Sequence, residues 1–362
     1  MMNETLCMHP ELGREVPVGG IDKELHKLWD EDEARTNASL VNLAVYSEKP
    51  GSLEENSRAM QELTREHACR AILIGIDRDA SETSIKAWIT AHCHLSHGQK
   101  SVCCEQIAFA LSGRATGRLR NTVFAHLNSD LPLILWWQGE LSPIFSERFY
   151  SLIDRFVFDS SEWSDPLSSF AKVGAAMEGS SRMVPQDLSW TRSFQFRVSV
   201  AALFDDPVAQ NALDAVEFVE IRHHPAHRVT ALQLLSWLAV QAKWRDGLEL
   251  GLADARHDGN SQSFSFELAS GAALRAKLVA DEASSPLGSL MIEAGDVRVE
   301  VVREAGSSYL MRRIVAPGHT TESPGPVDSD HSVDAVGEQL SRGGKNSLYR
   351  KILPRFQELL RQ

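Results

Sequence analysis

The sequence predicts an α/β chain: an N-terminal doubly wound, mostly parallel sheet layer, then a C-terminal α+β domain with an antiparallel sheet. Two patterns carry this. Short, almost continuous apolar runs alternate with helix-favouring segments in the first half, as strands buried on both faces require. Strict period-two alternation fills the second half, as strands with one wet face require. Length agrees, since 362 residues exceed the roughly 100–200 of a single domain. The expected divisions are an N-terminal arm and helix over 1–36, an α/β domain over 37–178 and an α+β domain over 187–362.

In chain order, residues 1–20 carry prolines and glycines without periodicity and read as a loose arm. Leu25, Leu28 and Trp29 fall at helical spacing and predict a helix over Ile21–Asn37. Val41–Tyr46, Ala71–Ile76, Leu131–Trp137 and Phe156–Phe158 are the apolar runs. Leu53–His67, Pro143–Leu152 and Pro166–Met177 supply helices around them. Ile85–His92 and Val102–Leu111 predict a hairpin across a turn at Gly98. Glu178–Gln186, rich in Gly, Ser and Pro, reads as the boundary. Beyond it, Ser189 caps an expected helix reaching Phe204, and Pro225–Lys243 forms a second. Alternation then marks strands at Leu248/Leu250/Leu252, Phe264/Phe266/Leu268, Leu274/Ala276/Leu278 and Val297/Val299/Val301. Gly318–Asp330 reads as a mobile loop. Ser347–Leu360 closes the chain as an amphipathic helix through Leu348, Ile352, Phe356 and Leu359.

Composition narrows the function classes. The net charge of -12 opposes a nucleic-acid backbone partner, which calls for a basic stripe. No apolar stretch is long enough to span a bilayer, and the start lacks the apolar core of a secretory signal. A soluble, cytoplasmic protein is expected, with its five cysteines reduced; an odd count also opposes a closed disulfide framework.

The motifs of common enzymes are missing. No G-x-G-x-x-G, G-x-S-x-G or H-E-x-x-H occurs, and Gly343-Gly344-Lys345 lacks the first Gly and the Ser/Thr of a phosphate loop. Three clusters remain. His92, Cys93, His94, His97, Cys103 and Cys104 are zinc-ligand types, but strand geometry splits them between faces. A disulfide between adjacent Cys103 and Cys104 would be strained. His223, His224 and His227 precede a helix beside Pro225, either as a polar turn or as an anion or metal site at a helix start. Trp136-Trp137 and Asp159-Ser160-Ser161 end consecutive strands at the carboxyl edge, where α/β sheets bind ligands. Consecutive side chains face opposite ways, so the two tryptophans cannot share a pocket. Capping of the next helix is the simpler role for the serines.

The ordered set ARTNASLVNLAVY (34–46), HACRAILIGID (67–77), SVCCEQIAFALSG (101–113), DLPLILWWQG (130–139), DRFVFDSSEW (154–163), DLSWTRSFQFRVSVAALFDDP (187–207) and LLSWLAVQAKW (234–244) resembles the OpcA family. Ala68 replaces the family's proline in the second segment, and Phe194-Gln195-Phe196 stands where members often carry a Trp. The resemblance implies a non-catalytic assembly protein or effector of glucose-6-phosphate dehydrogenase, the entry enzyme of the oxidative pentose phosphate pathway. From composition and motifs, no cofactor or metal is expected, and no nucleic-acid or membrane partner. Candidate partner anchors are Trp137, Trp163, Trp190 and Arg192, because interfaces favour Trp and Arg; intramolecular roles, such as an Asp187–Arg192 pair, compete. Ser160 and Ser161 are candidate pocket residues for an alternative: a sugar-phosphate binder or enzyme with a site at the strand ends. A further alternative is a thiol-based redox transducer, which needs an exposed cysteine of low pKa.

Overall fold

The computed structural model describes residues 8–30, 35–37, 39–96, 100–180, 182–246, 256–342 and 346–362. The predicted strand at Leu248–Leu252, the turn at Gly98 with His97, and Gly343-Gly344-Lys345 lie outside the described residues. Packing divides the chain into two units: Met1–Asp159 with Ala171–Gln186 and Val336–Gly343, and Ser160–Phe170 with Asp187–Ala335 and Gly344–Gln362. No helix among the described residues is long and apolar enough to cross a membrane.

The first sheet is built from β1 (Met8–His9), β2 (Gly13–Val16), α1 (Ile21–Asp30), β3 (Arg35–Asn37), β4 (Val41–Ser47), α2 (Ser52–Leu63), β5 (Cys69–Asp77), β6 (Ser84–Ser96), β7 (Lys100–Ser112), α3 (Leu119–Val123), β8 (Leu133–Trp137), α4 (Glu147–Tyr150), β9 (Arg155–Phe158), α5 (Pro166–Gly179) and β10 (Val184–Asp187). Its strand order is β1-β2-β6-β7-β5-β4-β8-β9-β10, with β3 also beside β7. From β4 the chain steps outward through β5 to β7, then returns to the other side of β4 with β8 and β9. All these neighbours are parallel. This is the predicted doubly wound layer. Every residue of β8 is buried, and β4 is buried after its first residue, which explains why both read as unbroken apolar runs. The expected hairpin is present as the antiparallel β6–β7 pair.

Several local expectations fail for tertiary reasons. The arm is not loose: β2 adds an edge strand along β6, and Gly13, at φ 87, brings its backbone against Ile89 where a Cβ would clash. The first helix ends at Asp30, and Arg35–Asn37 instead pairs with β7 as β3. Only Glu147–Tyr150 of the Pro143–Leu152 segment is helical. The boundary segment itself supplies β10.

The second sheet follows α6 (Leu188–Thr191), α7 (Phe194–Leu203) and α8 (Pro207–Ala212). It contains β11 (Phe218–His223), then, after α9 (Arg228–Gln241), β12 (Arg245–Asp246), β13 (Arg256–Asp258), β14 (Ser261–Glu267), β15 (Ala273–Ala280), β16 (Leu287–Ala294), β17 (Val297–Val302), β18 (Leu310–Ala316) and β19 (His319–Gly325). Two helices, α10 (Ser332–Arg342) and α11 (Ser347–Leu360), end the chain. Strand order is β12-β14-β15-β11-β16-β17-β18-β19, with β13 beside β14. All pairs are antiparallel except β11–β15. The predicted helix from Ser189 to Phe204 is broken: Asp187, not Ser189, caps the short α6, and α7 starts anew at Phe194. The segment read as a mobile loop forms β19, because β18 offers it a complete ladder from Leu310↔Gly325 to Ala316↔His319.

One face of this sheet carries the core. Val219, Ile221, Phe264, Phe266, Leu278, Ile292, Val299 and Ile314 are all buried, and α7, α8 and α9 pack against the strands that bear them. Val229–Ala239 of α9 is buried on every side, as expected of a helix apolar all round. α11 packs along it through Tyr349, Ile352, Phe356 and Leu359.

Candidate functional site

The residues nominated from sequence occupy interior positions. Trp137 is fully buried and stacks on Tyr46 with ring centres 3.9 Å apart, while its indole N–H donates to the Glu140 carbonyl at 3.0 Å. Trp163 is 5% exposed and packs edge-on to Phe170, which meets Phe356 in turn. Trp190 is 4% exposed, with the Arg197 guanidinium 3.4 Å above its ring. Arg192, 5% exposed, donates to the Asp330 carbonyl at 3.4 Å and the Ser332 hydroxyl at 3.1 Å. Ser160 is buried and Ser161 half-buried.

Ser160 belongs to a polar nest that sequence reading missed. Asp187, at the end of β10, is fully buried. Its carboxylate accepts from the Ser160 amide at 3.2 Å and hydroxyl at 2.6 Å, the Ser189 amide at 3.0 Å, the Gln233 side-chain amide at 2.6 Å and the Tyr349 hydroxyl at 3.2 Å. Burial, and then the Asp187 charge, hold the Tyr349 hydroxyl well above its ordinary pKa; it therefore remains a donor. A carboxylate bound by so many donors is a poor proton acceptor, so the nest ties together β10, α6, α9 and α11 rather than supplying a base. The Asp-Leu-Ser start of α6 was the available signal, being a helix cap; Gln233 and Tyr349 gave none.

The carboxyl edge of the first sheet is lined by paired polar side chains. At the switch between β4 and β8, where doubly wound sheets open a crevice, Gln138 and Asn56 exchange two side-chain hydrogen bonds of 2.7 and 3.1 Å. The β4–α2 turn carries Glu48, bound by Tyr46 and Arg78, and the first turn of α2 carries Glu54 and Glu55. Glu54 lies 3.5 Å from His9 and Glu55 3.1 Å from Lys49.

The cysteine and histidine clusters are also engaged. Cys93 and Cys103, opposite each other in the β6–β7 ladder with Cα atoms 4.1 Å apart, form a disulfide. This corrects the expectation of reduced cysteines: an adjacent pair was weighed, but a cross-strand pair needs the register, which sequence does not supply. His92 bonds Gln106 at 2.9 Å and His94 bonds Thr64 at 3.0 Å. Cys69 and Cys104 are buried, and burial pushes the Cys69 thiol up to about 12. Among the described residues, no group of three or more His, Cys, Asp or Glu side chains is arranged to hold a metal. His223 is buried at the end of β11, and His224 and His227 flank the turn into α9.

The other face of the second sheet is half-buried to exposed. Period-two alternation turns Glu220, Arg222, Arg275, Lys277, Met291, Glu293, Arg298, Glu300, Val302, Met311, Arg313 and Val315 away from the helices. A continuous ion-pair row crosses four strands: Glu293–Arg298 at 2.8 Å, Arg298–Glu300 at 3.7 Å, Arg313–Glu300 at 3.3 Å and Arg313–Glu322 at 2.8 Å. Those carboxylates raise the Arg313 pKa. Tyr309 and Val315, 46% and 38% exposed, add apolar area beside it. Two shallow depressions flank Arg313, one of about 160 Å³ beside Tyr309 and Met311, the other of about 380 Å³ beside Val297 and Val315.

Two family models match the chain. One, described as the glucose-6-phosphate dehydrogenase subunit N-terminal domain, matches residues 60–175; the other, described as the corresponding C-terminal domain, matches residues 184–353. No curated protein matches. Among solved structures, a point mutant of KijD10, a 3-ketoreductase from Actinomadura kijaniata in complex with TDP-benzene and NADP, aligns over 88% of this chain and 95% of its own, with 9% identity and a TM-score of 0.50. Aldose-aldose oxidoreductase from Caulobacter crescentus aligns over 89% and 97%, with 11% identity and a TM-score of 0.45. At such identity the first likeness concerns the fold alone, and fold does not transfer activity.

Proposed function

The chain belongs to the OpcA family, and on that premise we propose that it is a non-catalytic assembly protein and allosteric effector. It binds and activates glucose-6-phosphate dehydrogenase, so supporting the oxidative pentose phosphate pathway and NADPH supply. The observation that carries this reading is the match of both halves to models described as domains of a glucose-6-phosphate dehydrogenase subunit. The chemistry of the chain is compatible with it. Asp187, a richly bonded carboxylate, is committed to internal donors.

An effector acts by binding the active state of its target more tightly than the inactive one. A tenfold rise in apparent substrate affinity requires only about 1.4 kcal/mol of such difference. The open face of the second sheet is the surface we assign to that contact. Its aliphatic and aromatic groups, Val302, Tyr309, Met311 and Val315, lie among charges that fix register. Trp137, Trp163, Trp190 and Arg192 are interior residues and take no part in it.

The test is coupled turnover of the dehydrogenase at varied glucose-6-phosphate, with and without this chain, alongside size-exclusion of the mixture. The expected result is a lower KM or a higher kcat together with co-elution. Unchanged kinetics and separate elution would end the proposal.

A further inference from the structure

The turn from β11 into α9 has the composition His223-His224-Pro225-Ala226-His227-Arg228. Basic groups gather there around one half-buried guanidinium. Arg228, the first residue of α9, spends its Nε and Nη2 donors on the neutral oxygen of Gln262, at 3.0 and 2.7 Å. No carboxylate of the described residues pairs with it, and burial alone lowers its pKa. Taking a guanidinium out of water without a counter-charge is costly, and proteins ordinarily avoid it.

Gln262 provides a second, independent sign. It is 5% exposed, so its amide is nine-tenths buried. Two Arg228 donors fix which end of that amide is oxygen. The nitrogen of the same plane is then a buried donor with no acceptor among the described residues. Such orphaned donors are rare unless something absent from the free chain satisfies them.

The helix start adds to this. α9 has 14 residues and no acidic residue in its first turn; the 3-10 turn Pro225–His227 leads directly into it, and the Arg228 amide donates to the Pro225 carbonyl. His224 accepts from the Ala226 amide through Nδ1. That fixes its Nε2 as the protonated nitrogen in the neutral ring, a further outward donor. The nearest acid, Glu282, is 85% exposed and lies 3.6 Å from His224; Asp281 is occupied with the Ala283 amide.

We propose that this turn is an oxyanion site, built for the phosphate monoester head of a small molecule, with Arg228, the Gln262 amide nitrogen and His224 as its donors. A tetrahedral oxyanion would satisfy the Nη1 donors that Arg228 does not spend on Gln262, together with the amide nitrogen. The site is separate from the open sheet face, and its test uses the isolated full chain without the dehydrogenase.

The experiment is calorimetric titration with inorganic phosphate against chloride at matched ionic strength, with melting curves in both. Wild type should bind phosphate selectively and melt higher in it. Gln262→Glu supplies Arg228 with the missing carboxylate. It should melt no lower than wild type in chloride and bind phosphate at least tenfold more weakly. Arg228→Met, which removes the uncompensated charge, should lose binding to the same degree. The proposal is overturned if wild type gives no phosphate-dependent heat, or if Gln262→Glu binds as wild type does. A Gln262→Glu protein that melts well below wild type in chloride also overturns it, since Arg228 would then have no unmet need of an anion.

Discussion

Replacing Asp187 tests whether a single buried carboxylate organises the second unit. Asp187→Ala removes the acceptor of five hydrogen bonds, from the Ser160 amide and hydroxyl, the Ser189 amide, Gln233 and Tyr349. Each buried donor left unmet costs about 1–3 kcal/mol. Two of the donors are hydroxyls that can rotate, and the vacated space admits a water able to satisfy two or three of the rest. The expected net loss is therefore about 3–5 kcal/mol rather than the full sum. Asp187→Asn should be milder, at about 2–3 kcal/mol. Its new amide nitrogen would face Gln233, whose buried Oε1 has no partner among the described residues; a flip of that side chain restores one bond. Urea unfolding followed by fluorescence is a suitable assay, because Trp163 and Trp190 lie in the same unit. A loss under about 1 kcal/mol for Asp187→Ala would refute the reasoning, since no buried hub is released so cheaply.

Other outcomes follow from the same physics. Val315→Arg, on the open face, should change stability by no more than about 0.5 kcal/mol while abolishing activation of the dehydrogenase in the coupled assay; retained activation would exclude that face. Burial lowers the pKa of His92, His94 and His223. Their folded-state values lie below the unfolded ones, so stability should hold above about pH 6.5 and fall as pH drops below it, read from melting temperatures between pH 8 and 5. Tyr46 and Tyr349 are shifted upward, chiefly by burial; their contribution should be present below about pH 10 and lost above it. Thiol titration of the denatured, unreduced chain should find no more than three of the five cysteines, since Cys93 and Cys103 are joined; five would contradict the pairing.

Much of the architecture was legible because it depends on local period. The runs at Val41–Tyr46 and Ala71–Ile76 became β4 and β5, and the alternation at Phe264/Phe266 and Val299/Val301 became half-buried strands of the second sheet. The last helix spans the predicted Ser347–Leu360, although Tyr349 rather than Leu348 is its buried residue there. What failed depends on partners distant in sequence. Arg35–Asn37 is a strand because β7 accepts it, and His319–Gly325 is one because β18 does; neither segment announces this in its own composition. The nominated site residues illustrate the same divide. Sequence marked Trp137, Trp163 and Trp190 as large and aromatic, but only packing shows that they are interior. The Asp187 nest joins positions up to 162 residues apart, beyond the reach of any local motif.

Pro324, in the outermost strand β19, gives the second sheet a lopsided border. It pairs with Met311 on its inner side, yet has no amide hydrogen to offer a newcomer. Exposed Thr320, Thr321 and Glu322 line the same strand. Lengthening of the sheet by a stray β-segment is therefore discouraged there, as natural edges commonly arrange. A visitor to that flank meets a surface that welcomes broadside stacking and resists sideways zippering, which keeps a sticky plane from becoming a seed for fibres.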